Sequence, residues 1–347
     1  MSSVNVAGAA AGRRRFRVTP LTVIVLAVAA MLVISPLGVT SHFYAHASLA
    51  TLTPLLGIMI IVSTGQAFVV GTGGIDLSIP ATITLMGSIV LKASGGANSK
   101  LVPTLLLCLG ACIVIGLVNG LLVEGLGLNA LVVTLAVGQL VAGATRLYRG
   151  QVLAFTHVPS KLVTAASSNV GGISYLLIVS FVVALASTLY LQRVAFGRRL
   201  VASSAAPKAA FLAGVRAKGY RIFAYVIASV TYGIGGVLAA AQIGSPDLTL
   251  GDPYLLTTVV AIVLGGAVLT GGRVSPVATL FGAVFVTLLD YDLRVLGYSA
   301  GTRLAVQGGV IAVGLAGVYF LRNLARLRGP SFRRPALAAT ADEAPGN

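Results

Sequence analysis

An all-α, polytopic membrane protein of about ten transmembrane helices, some broken or re-entrant, with both termini cytoplasmic, is the architecture this chain dictates. Three observations lead there. Of its 347 residues, 57% are hydrophobic and 9% charged, with a mean hydropathy of +0.98. A soluble domain carries roughly 25% charged residues, so too little polar surface exists to cover so apolar a core. The apolar residues fall into long runs without the alternation of barrel strands. The basic residues gather in the flanks between those runs, as the positive-inside rule requires of a helical bundle.

The predicted spans, in order, are 19–37, 48–70, 78–93, 101–123, 127–147, 173–192, 219–243, 253–271, 275–291 and 303–322. A span needs about 20 residues, and about 17 just suffice. The third, eighth and ninth are short or glycine-interrupted, the pattern of partial or re-entrant helices. Residues 1–18 read as a basic cytoplasmic tail, 19–322 as the transmembrane domain and 323–347 as a disordered cytoplasmic tail. Arg13, Arg14, Arg15 and Arg17 before the first run resemble a signal-peptide n-region. With many spans following, an uncleaved first helix is the better reading. With both ends inside, the cytoplasmic side receives 17 of the 24 Lys and Arg residues and the outer side 7. That bias sets the orientation.

The totals also exclude function classes. A formal charge of +16 invites nucleic acid, but the cations sit in short flanks and not on an independent module. Cys108 and Cys112 lie one turn apart in an apolar run and read as packing residues. His42 and His46 have helical spacing but no third ligand nearby, so no metal site is expected. No phosphate loop is present; residues 95–100 fail its spacing.

Residues Gly73-Gly74-Ile75-Asp76-Leu77-Ser78 place a helix-breaking pair and a carboxylate where hydropathy says bilayer. A charge at that depth costs about 2.5–3.5 kcal/mol and usually faces a cavity or pathway. This points to a transporter. Asp76 either caps the helix that starts near Ser78 or lines the path. Gly265, Gly266, Gly271 and Gly272 form a second glycine-rich interruption, read like Gly73 and Gly74 as hinge or broken-helix positions. Gly116 and Gly120 have the spacing of close helix packing. Gln66, Asn119 and Gln139 are polar within spans; each touches solute hydroxyls or bonds a neighbouring helix. Few intramembrane charges argue against a proton-coupled pump.

The longest cytoplasmic connection, 193–221, holds a second informative stretch, Phe196-Gly197-Arg198 through Gly214-Val215. Pro207 suits the first turn of a short helix. Ala209, Ala210, Phe211, Leu212 and Ala213 favour helix, and Gly214 suits a left-handed cap. A short helix with a small-residue and Phe/Leu face, flanked by Arg198 and Lys208, either lies on anionic lipid or docks into a groove of a soluble partner.

Four stretches together resemble the membrane subunit of bacterial ABC importers of the ribose/xylose/galactose class, in the permease group that includes branched-chain amino-acid permeases. They are residues 73–78; Gly116-Leu117-Val118-Asn119-Gly120 followed by Leu131-Val132-Val133-Thr134-Leu135; residues 196–215; and Val263-Leu264-Gly265-Gly266 through Leu269-Thr270-Gly271-Gly272-Arg273. Pro80 stands where such permeases usually have Gly, Ala206 and Asn129 where Asn and Pro are usual, Val274 where Gly is common, and Tyr291-Asp292 where Asn-Gly is common. The resemblance implies a path for a monosaccharide delivered by an external sugar-binding protein. It implies a second permease subunit, and a separate ATPase subunit that uses ATP and Mg and grips this chain through Arg198 and residues 207–214. The chain itself would bind no cofactor and be no enzyme. Gly73, Gly74, Asp76, Ser78, Asn119, Gly265, Gly266, Gly271 and Gly272 are the candidates for path or hinge. The expected location is the bacterial plasma membrane. A permease for branched-chain amino acids, or a transporter acting alone, are the competing expectations; the latter has no need of the 193–221 segment.

Overall fold

The computed structural model describes residues 19–150, 156–269, 271, 272 and 274–327. Each of the ten apolar segments holds a helix: α1 (Pro20–Ile34), α2 (His46–Thr72), α3 (Ile79–Ser94), α4 (Leu101–Gly120), α5 (Ala130–Arg149), α7 (Tyr175–Arg193), α10 (Ala217–Ile243), α11 (Pro253–Leu264), α12 (Pro276–Val295) and α13 (Ala300–Leu327). Among the described residues, seven helices are long and apolar enough to cross a membrane, and α3 and α11 are shorter apolar helices. Of the three segments expected to be partial, these two are. The ninth is not, since α12 has 20 residues. α11 stops at Leu264, well before the expected 271, because Gly265 and Gly266 interrupt it. α13 runs helical to Leu327, past the boundary expected at 322. The tails 1–18 and 328–347, and Arg273, lie outside the described residues.

The connections carry structure of their own. Between α5 and α7 stand α6 (Ser160–Ser167) and an antiparallel hairpin, β1 (Asn169–Val170) with β2 (Ile173–Ser174), pairing Asn169 with Ser174. Between α7 and α10 stand α8 (Ala195–Ala205) and α9 (Pro207–Leu212).

α2 and α10 form the centre. α2 is apolar all round and shielded on nearly every residue from Leu52 to Thr72, as befits a helix surrounded by others. α10 packs on α2, α3 and α4. Small residues permit this closeness. A Cβ added at Gly116 would lie 2.6 Å from Val226 Cα, and one at Gly120 2.9 Å from Ile222 Cα, so α4 and α10 meet backbone to backbone. Packing is therefore what Gly116 and Gly120 serve. Gly282 of α12 does the same on α11, where a Cβ would fall 2.0 Å from the Ala261 carbonyl oxygen. The outer ring is α1 on α12, α5 on α3, α7 on α2, and α13 on α11. Its outward faces are apolar, with Val132, Leu140 and Val182 exposed, as the hydrocarbon of a bilayer or a membrane-embedded partner requires.

Candidate functional site

The first break begins where α2 ends. Gly73 has φ +90, a left-handed conformation that glycine adopts without strain. The chain reverses and doubles back along α2. Gln66 Nε2, six residues or roughly 9 Å back from Thr72, donates to the Asp76 carbonyl at 3.3 Å. Asp76 is fully buried, and its Oδ1 accepts from the Ser78 N–H (2.8 Å) and the Ser78 hydroxyl (2.6 Å). It thereby holds the first turn of α3 from outside the helix. Ser78 Oγ in turn accepts from Asn119 Nδ2 of α4 at 2.9 Å. Thr134 Oγ1 of α5 accepts from the Leu77 N–H at 2.9 Å. Tyr232 of α10 donates to Gln66 Oε1 at 2.6 Å. Tyr225 Oη lies over Gly74, where a Cβ would meet it at 2.3 Å.

Side chains of α2 and α5 therefore bond a backbone that would otherwise be unpaired at membrane depth, and those of α4 and α10 hold the side chains around it, the condition on which such breaks exist. Asp76 Oδ2, Asn119 Oδ1 and Tyr225 Oη are buried without a partner among the described residues.

The second break joins α11 to α12 and reaches the first. A Cβ at Gly271 would lie 2.8 Å from Gly73 Cα, and the Gly272 N–H donates to the Gly71 carbonyl at 3.1 Å. Gly272 also faces Ala205 at the end of α8. Gly265 abuts the start of α12, where an added Cβ would lie 2.8 Å from Thr279 N, and Gly266 abuts Pro20 of α1. Gly73, Gly74, Asp76, Ser78, Asn119, Gly271 and Gly272 are thus one neighbourhood, with Gly265 and Gly266 off to its α1–α12 side.

Of the three polar span residues, Gln66 and Asn119 are buried and bond neighbouring helices. Gln139 instead lines a cavity of about 300 Å³ between α3, α5 and the α10–α11 connection. The floor of this cavity is at Leu77, where Gly138 packs on Ser78 with its Cβ position 3.3 Å from Ser78 Cα. A second cavity, about 390 Å³, lies among α2, α11, α12 and α13 and contains Asp290, Arg294, Arg303 and Gln307. There Asp290 pairs with Arg303 (3.0 Å) and Arg294 (2.9 Å) and accepts from Gln307 Nε2 (3.3 Å). Asp252 lines this cavity too.

The 193–221 segment forms a fixed elbow. Gly197 lets α8 fold against α7, since a Cβ there would lie 2.3 Å from the Tyr190 carbonyl oxygen. Leu200 is buried beside Phe68, Leu191 and Ala224. Arg221 of α10 bonds the Ser203 carbonyl and pairs with Glu124 at 3.3 Å, in the π-helical turn Leu121–Gly125 that ends α4. Lys218 donates to the Gly125 carbonyl at 3.1 Å.

On this mount sits α9. Pro207 opens it as expected, and Gly214 closes it at φ +75, with Val215 N–H bonded back to the Ala210 carbonyl. Ala210 faces inward. Pro207, Lys208 and Ala209 are exposed, and so are Phe211 (79%) and Leu212 (86%). Arg198 is exposed on α8.

Sequence reasoning passed over Glu124, Arg221 as its partner, and the two central tyrosines. Glu124 had a readable signal: it is an acid at a helix end whose other flanks are cationic.

The family described as branched-chain amino acid transport system / permease component matches residues 48–315. This chain belongs to that family. The permease is 30% identical to a probable ABC transporter permease protein of Sinorhizobium fredii over 76% of this chain and 79% of the relative. It is also 30% identical to the ribose import permease of Bacillus subtilis, over 73% and 79%. With the galactose/methyl galactoside import permease of Escherichia coli it shares 26% identity over 79% and 87%. No solved structure matches the chain. Membership and the apolar helices make the permease a multi-pass protein of the bacterial inner membrane.

Proposed function

We propose that the permease is the transmembrane subunit of an ATP-binding-cassette importer and forms the path for a monosaccharide delivered by an external binding protein. The observation that carries this is α9. Two large apolar side chains, Phe211 and Leu212, project from a six-residue helix packed on α8 and α10. Lys208, Arg216 and Lys218 flank them. A short rigid knob of this kind is built for a groove in a soluble protein, and a carrier acting alone has no use for it. An ATPase subunit is the partner that fits, because the path must be driven and this chain resembles ABC permeases. ATP with its Mg is then used by that subunit, and a second permease subunit, identical or not, completes the path.

Two features support a sugar. The ribose and galactose relatives are import permeases for neutral, hydroxylated solutes by name. The polar groups at the breaks are amides, hydroxyls and one buried carboxylate, with no chain of titratable relays. Closure of the ATPase pair would move α8–α9, and through Ala205 and Gly272 the touching breaks, switching access by rigid-body motion.

The test is uptake of labelled ribose, galactose and leucine into vesicles that hold the permease with the subunit that purifies with it, supplied with the binding protein. ATP-dependent sugar accumulation supports the proposal. ATP-dependent leucine uptake moves it to the amino-acid branch. Uptake by the chain alone, indifferent to ATP, overturns it.

A further inference from the structure

The cavity of about 300 Å³ between α3, α5 and the α10–α11 connection reaches the first break at Leu77. Three of its polar side chains are uncommitted. Gln139 and Arg146 project from one stripe of α5, and Asp252 from the opposite wall. Among the described residues, none of these three side chains makes a hydrogen bond or ion pair. The larger cavity shares Asp252, and there Asp290 pairs with both arginines.

The walls are also preformed. Arg149 bonds the Pro246 carbonyl, tying the α10–α11 connection to α5. The Gly251 N–H donates to Thr84 Oγ1 at 3.0 Å, and a Cβ at Gly251 would fall 2.0 Å from the Pro80 carbonyl oxygen. The connection is thus clamped to α3 as well. A concave, rigid pocket with a few unpaired polar groups on apolar walls is what binds a small molecule.

We infer that this cavity is the solute's resting site in the permease, with Gln139 as its principal specificity-determining contact and a neutral polyhydroxylated solute as its ligand; this rests on the importer proposal. Arg146 and Gln139 are seven residues apart, roughly 10 Å along α5. Gln139, next to Gly138, lies toward the Leu77–Ser78 end of the cavity, Arg146 about two turns away along α5, and Asp252 follows Gly251, which packs on Pro80.

A hydroxyl both donates and accepts, so a sugar can bond the guanidinium, the carboxylate and then the amide, which itself offers both functions. Gln139 is uncharged and offers a zwitterionic amino acid no ionic contact.

The native cysteines are buried, which allows a direct test. Gln139→Cys is installed, and its alkylation by a small thiol reagent is followed in membranes with ribose, galactose or leucine present. Uptake by Gln139→Leu is measured in parallel, with co-purification of the ATPase subunit as the assembly control. The expected result is severalfold slower alkylation with a sugar and not with leucine, together with about tenfold weaker sugar uptake by Gln139→Leu, the loss of one good hydrogen-bond pair. Protection by leucine, or sugar uptake unchanged in Gln139→Leu, overturns the inference while the importer proposal stands. ATP-independent uptake by the wild-type chain overturns both.

Discussion

At the residue scale, the decisive object is Asp76. The sequence left it between cap and path. The geometry turns its Oδ1 to Ser78, the residue that opens α3, from which both its bonds come, and seals the group from solvent. What it holds in place is the start of α3, beside Leu77. Asp76→Ala removes the acceptor for a buried N–H and hydroxyl and should lower stability by about 1–3 kcal/mol. Asp76→Asn keeps an oxygen in the same position and should lose less. Thermal unfolding in detergent ranks the two; equal stability of Asp76→Ala and wild type would remove Asp76 from the site.

A second prediction uses the crowding at Gly74. Gly74→Ala would drive a methyl into Tyr225 Oη, and overpacking costs typically 1–3 kcal/mol. Tyr225 Oη has no partner among the described residues, so Tyr225→Phe should cost little and should rescue part of the Gly74→Ala loss. Additive melting shifts in the double variant would show that the two groups do not touch. None of this was legible in the sequence. Gln66, Asn119 and Gln139 read alike there, as amides within apolar runs. Which of them turns toward a helix and which toward a cavity depends on crossings between helices far apart in the chain.

At the element scale, legibility follows locality. α9 was readable because its signals are its own: a proline that opens a helix, a run of helix formers and a glycine that closes it. The ten helices were readable because each apolar run is long enough to be one. The contact of residues 71–73 with 271–272 was not, since nothing local in either glycine pair names the other.

Two predictions belong here. Lys208→Glu with Ala209→Glu should leave insertion intact and abolish solute-driven ATP hydrolysis, because both positions are exposed on α9 and touch nothing that holds the fold. Normal transport by that variant would take the docking role away from α9. Glu124→Gln should loosen the elbow by weakening its pair with Arg221, which also grips Ser203. The pair is partly buried, so truncating one partner leaves the other poorly compensated. Faster proteolysis between α8 and α9 is the expected readout, with unchanged cleavage counting against the anchor.

At the scale of the whole molecule, the permease is a buried pair, α2 and α10, ringed by helices with apolar outward faces, with two interruptions meeting on one side of its core. One end of that arrangement presents a preformed polar cavity, and the other a knob with exposed Phe211 and Leu212. Composition was enough to predict the membrane, the helices and the cationic bias. It could not predict that break and knob are mechanically adjacent, through Ala205 and Gly272, which is what turns two local motifs into one device.

The most direct test of that device is purification of the tagged permease from its own cells in mild detergent, as wild type and with Phe211→Ser and Leu212→Ser, followed by an ATPase assay of each eluate. The account predicts an ATP-hydrolysing subunit with the wild-type chain and its loss with the variant, at equal permease yield. A wild-type chain that purifies without ATPase activity, or a variant that keeps it undiminished, would contradict the account.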